Sequence, residues 1–249
     1  MSLQPSTETV REKIESSLTV MRDVRFDPEF ETLVAFVSLL GLWSIYYFQS
    51  VSDSTAAILV FLLVGNFGLT ILFPLYYTCY ARGEPLSAVG ITTDGWKRAV
   101  VASFMVAVLL IPGLLVVNEP AAVLVPHVIT VGLMFWEPFF VHGWLQIRFE
   151  RAFGAGASIP LTAAAFALFH VGATTATGLL VLSFFGLVHA ILFRAFNRNL
   201  LVLWPILWAI GGSQGTLDSV VFGFEEASAY LVILLATGAL VYYRVRSRK

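Results

Sequence analysis

Apolar stretches of bilayer length, separated by short polar joints, constrain this chain more than any other feature of its sequence. A transmembrane helix needs roughly 17–25 predominantly apolar residues. The 249 residues are 58% hydrophobic and only 12% charged, whereas a soluble domain carries about 25% charged residues. This surplus of apolar surface is too large to hide in one water-soluble core. The sequence therefore predicts an integral membrane protein.

The apolar stretches predict an all-α bundle of eight transmembrane helices. Continuous apolar runs favour helices, because lipid offers no partners to backbone polar groups and a barrel would need alternating residues. The two short runs at 158–172 and 200–213 are expected to stop partway through the bilayer or to begin earlier. The predicted spans cover 32–49, 56–80, 99–117, 121–147, 158–172, 177–193, 200–213 and 227–243.

The distribution of charge predicts the orientation. With the N-terminus in the cytoplasm, all 15 Lys and Arg residues fall on the inner side. The outer joints keep only acids, as the positive-inside rule requires. We therefore expect a cell-membrane protein with both termini cytoplasmic. Its predicted parts are an N-terminal segment (1–31), the bundle (32–243) and a basic tail (244–249).

The remaining general features are few. Val10, Ile14, Leu18 and Met21 recur at helical spacing, which predicts either an amphipathic helix on the membrane surface or a solvated tail. Cys79 is the only cysteine, so a disulfide framework and a cysteine metal site are excluded. No basic aromatic face suggests nucleic acid as a partner. The pair Glu225 and Glu226 is expected only to favour the dipole of the last helix.

Ionisable residues inside the spans are the candidate functional groups, because each costs at least ~2.5–3.5 kcal/mol when charged at the bilayer centre. They are Glu137 and all four histidines, His127, His142, His170 and His189.

Helix rise places these groups in two layers. Glu137 and His170 lie at about 16 and 18 Å from the inner ends of their helices, at 1.5 Å per residue. His142 and His189 form a shallower pair at about 8–9 Å. A glutamate base with histidines that bind a metal or stabilise an oxyanion suits peptide-bond hydrolysis. The same groups suit a proton relay, and each also suits a purely structural hydrogen bond between helices.

Pro138 directly follows Glu137 and is expected to kink the span there, either as a packing device or as the edge of a water-filled notch. Gly143, Gly186, Gly211 and Gly212 are expected first to let helices approach closely.

From about residue 85 to 212 the chain resembles the CAAX-protease and bacteriocin-processing (CPBP, or Abi) family of intramembrane proteases. The resemblance begins with 85-PLSAVGITTDGWKRA-99, continues through 137-EPFFVH-142 and 166-FALFH-170, and ends with 184-FFGLVHAILFRAFNRNLLVLWPILWAIGG-212. Family members carry E-E-x-x-x-R, then F-x-x-x-H, then H-x-x-x-(N/D). The second motif is intact here and ends at His170, while Glu137 matches the first glutamate.

The departures from that pattern affect the positions that carry out the chemistry in the family. Pro138 replaces the second glutamate, His142 replaces the arginine, and Trp208 and Gly212 stand where the third motif has its histidine and its asparagine. The loss of one oxyanion donor typically costs 10²–10³ in rate, so replacements are required for activity. Candidates are His142, His189, Asn197, Asn199 and Gln214.

The resemblance implies an endopeptidase with an altered site that hydrolyses a peptide bond of a membrane-anchored or prenylated substrate. Glu137, His170 and His142 would be catalytic. His170, Glu137 and His189 would hold a metal such as zinc. Two alternatives stay open. One is a non-catalytic relative that binds a lipidated peptide or a membrane partner. The other is a proton-coupled or ion-coupled carrier, which no internal repeat supports.

Overall fold

Helices form almost all of the regular structure. The computed structural model describes residues 22–52, 54–115, 117–213, 216–217 and 221–246, without the side chains of 111–115. Within these residues there is no β-strand, so the predicted all-α class is confirmed for them. The seven helical runs of this part of the chain are α1 Phe30–Ser50, α2 Thr55–Ala81, α3 Trp96–Leu115, α4 Ala121–Leu168, α5 Ala176–Ala195, α6 Leu200–Gly211 and α7 Phe224–Arg246.

Five of these runs, α1, α2, α4, α5 and α7, are long and apolar enough to cross a membrane, counted over the described residues. The structure thus agrees with an integral membrane protein. The predicted count of eight spans is not confirmed. The predicted spans 121–147 and 158–172 belong to one run of 48 residues, α4, and α6 is a shorter apolar helix.

Two interruptions divide α4 into three segments. Segment α4a is Ala121–Leu133, and it ends where Met134 leaves helical geometry with ψ at 48°. Segments α4b (136–153) and α4c (155–168) meet at Gly154, which has φ 79° and ψ 166°. Glycine adopts a positive φ without the steric cost that a side chain brings. A Cβ at this position would also collide with the backbone of Asp23, so Gly154 allows both the bend and the contact.

The chain before α1 packs against this bend. The Arg25 amide donates to the Phe153 carbonyl at 3.0 Å, and the Asp27 amide donates to the Ala152 carbonyl at 2.8 Å. The Gly156 amide donates to the Asp23 carbonyl at 3.0 Å. These bonds satisfy backbone groups that the bend removes from the helical ladder. The amphipathic helix predicted around Val10–Met21 lies outside the described residues.

Polar side chains cap several helices. At the start of α2, Ser54 Oγ accepts from the Ala57 amide at 3.2 Å. At the start of α5, Thr175 Oγ1 accepts from the Gly178 amide at 3.2 Å. Before α7, Glu226 Oε2 accepts from the Gly223 amide at 2.8 Å. Each bond satisfies an orphan donor at a helix N-terminus, and the last agrees with the helix-end role predicted for Glu226.

Segment α4b lies at the centre of the bundle. In the most apolar window of α4, 56% of the residues are buried, against 17% in α7 and 22% in α5. Residues Phe139–Gln146 are π-helical, and every one of them is buried. The outer helices instead expose large apolar side chains such as Leu180 and Leu235, as helices facing lipid do.

Glycines allow the close contacts around this centre. A Cβ on Gly143 would lie 2.5 Å from the Val89 carbonyl oxygen. A Cβ on Gly186 would lie 2.9 Å from Cβ of Phe166. The contacts at Gly143 and Gly186 agree with the predicted close approach of helices at these glycines.

Candidate active site

The break before α4b places Glu137 in the first turn of a helix. Segment α4b begins at Trp136, and Glu137 is the acid of its first turn. The positive end of a helix dipole favours a carboxylate there. The span is interrupted one turn before Pro138, at Met134, where the chain leaves helical geometry, in agreement with the kink predicted from this proline. Pro138 itself lies in the first turn of α4b, where its missing N–H has no partner to lose.

Glu137 meets His170 across the bundle. Glu137 Oε1 lies 3.6 Å from His170 Nε2, and the two side chains keep 15% and 14% exposure. The ring of His170, just after α4c, is oriented by the Phe166 carbonyl, 2.8 Å from Nδ1. Since a carbonyl only accepts, Nδ1 carries a proton in this bond. The F-x-x-x-H spacing therefore supplies the backbone acceptor that turns Nε2 towards the acid.

Two tyrosines complete the surroundings of this pair, and the sequence did not single them out. The Tyr46 ring centre on α1 lies 5.2 Å from that of His170. The Tyr230 hydroxyl on α7 accepts from Asn66 Nδ2 at 2.9 Å. Both phenols interact electrostatically with the Glu137 carboxyl group. A polar residue such as Asn66 in the apolar stretch VFLLVGNFGLTIL was a usable signal, because polar side chains inside spans require partners.

His142 and His189 form a second pair of side chains. Their ring centres are 5.9 Å apart, and the rings are nearly perpendicular at 79°. Both residues are almost wholly buried, with exposures of 0% and 4%. The histidine layers estimated from helix rise agree with these two pairings.

The two pairs do not merge into one site. Among the described residues, no group of three or more His, Cys, Asp and Glu side chains could hold a metal ion. His170 and Glu137 supply two donors, and the third predicted metal ligand, His189, lies beside His142 instead. Zinc at these residues therefore stays a prediction.

The candidate replacements for the third motif lie elsewhere or have other partners. Trp208 packs on Gly132, where a Cβ would collide with the indole ring. Asn199 is buried, and its Nδ2 donates to the carbonyls of Thr92 and Asp94 while Oδ1 accepts from the Leu201 amide. Its amide thus fixes a loop and is not free for catalysis. Asn197 is exposed, and Gln214 lies outside the described residues.

A network of charges lies at the end of the bundle where the predicted inner segments meet. Buried Glu31 contacts Arg82 at 2.8 Å and Arg151 at 3.2 Å. Buried Glu150 contacts Arg198 at 2.5 Å and Arg194 at 3.5 Å. We call this set the arginine–glutamate network: Glu31, Glu84, Glu150, Arg82, Arg148, Arg151, Arg194 and Arg198.

Arg148 is the most deeply buried member of the network. Its guanidinium stacks on the Trp144 ring at 4.0 Å from the ring centre and donates to Thr78 Oγ1 at 2.5 Å. Glu31 lies 3.9 Å away. Cation–π contact and a nearby carboxylate together make its burial possible. The network thus joins α1, α2, α4 and α5 at one end of the bundle.

Comparison with known proteins adds no relative: no family model matches the chain, and no curated protein or solved structure matches it. The resemblance described above therefore rests on the quoted motifs alone.

Proposed function

We propose that this protein is an intramembrane endopeptidase whose altered site uses Glu137 and His170. The observation that carries the proposal is the contact of 3.6 Å between Glu137 Oε1 and His170 Nε2. An ionisable residue within a span is costly and is therefore a functional candidate. This pair also retains partial exposure, whereas His142 and His189 are enclosed. The Glu137 and His170 pair is therefore the more accessible of the two pairs.

The geometry suggests how the pair divides the chemistry. Because His170 Nδ1 already donates to Phe166, the pair can hold one further proton, on Glu137 or on Nε2. With that proton on Nε2, the Glu137 carboxylate accepts a proton from the attacking water. His170 Nε2–H then donates to the carbonyl oxygen as negative charge develops there. Glu137 afterwards returns its proton to the leaving amine, so both residues end as they began.

The substrate class follows from the location of the pair within membrane-spanning helices. The scissile bond would belong to a peptide held at the membrane by an anchor, and a prenylated peptide is the form that the family resemblance suggests. The bilayer is the first partner of this chain. We place the protein in the cell membrane with both termini in the cytoplasm, because this orientation puts all basic residues on the inner side. Zinc remains an expectation from the resemblance, and no step above depends on it.

The proposal is tested with membranes that contain the wild-type chain or a single variant. Glu137→Gln and His170→Ala are each expected to lower cleavage of membrane-anchored peptides by at least about 10²-fold, since each removes a group that acts in the transition state. Mass spectrometry of new peptide termini gives the readout across all membrane substrates.

The matched control is Glu226→Gln, which removes an exposed acid from the start of α7 and is expected to leave cleavage unchanged. If Glu137→Gln and His170→Ala membranes released the same new termini as wild type, the endopeptidase proposal would be wrong.

A second candidate is a non-catalytic protein that keeps the bundle to bind a lipidated peptide or a membrane partner. It is favoured by Trp208, whose ring fills the space over Gly132 at a motif position where the family has histidine. Under this alternative, a lipidated peptide would bind wild type and Glu137→Gln equally, and no new termini would appear in either. Binding in nanodiscs, measured beside the cleavage assay, separates the two functions.

A further inference from the structure

The His142 and His189 pair has a feature that the proposed reaction does not use. The Nε2 atoms of both rings are buried and have no hydrogen-bond partner among the residues that the structure describes. An unpaired polar atom in the interior destabilises the fold because its lost hydration is not replaced, so two such atoms in contacting rings call for an explanation. Native structures tolerate such atoms chiefly where a ligand, an ion or a functional role accounts for them.

Gln146 fixes the protonation of His142. Gln146 Nε2 donates to the Ala190 carbonyl at 2.9 Å, so Oε1 is the amide atom that faces His142. His142 Nδ1 lies 2.8 Å from this Oε1 and must donate to it, because an amide oxygen only accepts. Neutral His142 therefore presents the lone pair of Nε2. A second ring nitrogen that donates to a fixed acceptor is the usual arrangement of a metal-binding histidine.

The spacing of the two rings suits a shared ion. With metal–nitrogen bonds of about 2 Å, a metal between two imidazoles brings their ring centres to roughly 6 Å apart. The observed separation is 5.9 Å. The perpendicular rings are no obstacle, because each nitrogen lone pair lies in its own ring plane and the planes can rotate freely about the metal.

The number and charge of the ligands select the metal. No third His, Cys, Asp or Glu side chain of the described residues joins the pair. Zinc takes four ligands, and a divalent ion here would keep its full charge in an interior where charge is expensive. Imidazole suits copper, and monovalent Cu⁺ is stable with two ligands in a line. We propose that His142 and His189 form a two-coordinate Cu⁺ site, oriented by Gln146 and separate from the Glu137 and His170 pair.

Anaerobic titration of the purified full-length chain in nanodiscs with Cu⁺, against a coloured Cu⁺ chelator, tests this site. One Cu⁺ per chain is expected in wild type. His142→Ala and His189→Ala are each expected to abolish that binding. Gln146→Leu is expected to weaken it about 10–100-fold, the usual effect of removing the group that orients a metal-binding histidine.

Three variants of the chain serve as controls. His127→Ala removes another buried histidine, whose Nδ1 accepts from the Phe222 amide, and is expected to retain copper. Cys79→Ser removes the one thiol and is also expected to retain it. Glu137→Gln is expected to retain copper while losing cleavage, so failure of this site and failure of the proposed protease are distinguishable.

X-ray absorption of the copper-loaded wild-type chain gives a readout that does not depend on whether a variant folds. Two nitrogen neighbours with imidazole scattering, and the strong edge feature of linear Cu⁺, are expected. No stoichiometric copper in wild type, retention in His142→Ala, loss in Cys79→Ser, or a sulfur neighbour in the spectrum would each overturn the proposal.

Discussion

Two polar regions of this bundle follow opposite rules. In the arginine–glutamate network, each charged group lies within 4 Å of an opposite charge, and Glu31 alone contacts Arg82, Arg148 and Arg151. In the interior, Glu137 lies 3.6 Å from His170, and within the described part of the chain the Nε2 atoms of His142 and His189 have no hydrogen-bond partner.

The difference separates structural from functional polarity. Charges that are compensated by opposite charges from several helices stabilise one arrangement of those helices. Polar groups with unused hydrogen-bonding or ligating capacity lower the stability of the bundle, and such groups cluster at functional sites in proteins. The network is thus expected to determine stability, and the interior groups are expected to determine activity and binding.

The largest effect on stability is expected for Glu31→Gln. The change keeps the shape of the side chain but leaves buried Arg148 without its nearest carboxylate, and breaking a buried ion pair costs about 3–5 kcal/mol. The free energy of unfolding in detergent is the measurement. Glu225→Gln, at an exposed acid, is the matched control and is expected to change stability by less than about 0.5 kcal/mol. Equal stabilities of the two variants would contradict a structural role for the network.

A smaller effect is expected at Glu84, and it depends on pH. The hydrogen bond from Arg151 holds the pKa of the Glu84 carboxyl below its usual value near 4.5. A carboxyl whose pKa is lower in the folded state stabilises that state above the unfolded pKa, and this contribution is lost as pH falls through the folded value. Wild type is therefore expected to be more stable than Glu84→Gln at pH 6–7.

Unfolding midpoints measured from pH 7 down to pH 3 test the Glu84 prediction. The difference between wild type and Glu84→Gln should shrink once the pH falls below about 4.5. A difference that stays constant over this range would show that the ion pair with Arg151 contributes nothing through its charge.

The smallest expected effect on stability is that of His189→Leu, measured without copper. Leucine fills a similar volume and removes a buried Nε2 for which the described residues offer no hydrogen-bond partner. Replacing an unsatisfied polar group by an apolar one is nearly neutral or stabilising. The free energy of unfolding is therefore expected to change by less than about 1 kcal/mol or to rise. Destabilisation as large as that of Glu31→Gln would place this histidine in the structural class.

Local spacing alone was enough to suggest which polar groups could pair. Helix rise put Glu137 level with His170 and His142 level with His189, and both pairs are in contact. Helix rise is reliable because it depends only on backbone geometry. Tyr46 and Tyr230 were missed because a tyrosine near the end of a span is also typical of the membrane interface, so the sequence gives no reason to place either beside Glu137.

The positions of the two interruptions within α4 could not be predicted from the sequence. An apolar run gives no sign that the helix stops at Met134 and restarts at Trp136, and only Pro138, one turn later, indicated a kink in this span. The bend at Gly154 depends on the chain around Asp23 that packs against it, which is a contact between residues far apart in the sequence.

The sequence alone predicts a helical membrane protein with few ionisable groups inside. The prediction follows from composition, from the length of the apolar runs and from the placement of charge. These properties reflect the solvent that each segment meets, and solvent preference is local to the segment. Packing of the helices determines that Glu137 pairs with His170 and His142 with His189. It also determines that Asn199 fixes a loop and that Arg148 is buried. These features depend on which helix faces approach each other, and contacts between segments far apart in the sequence determine those faces.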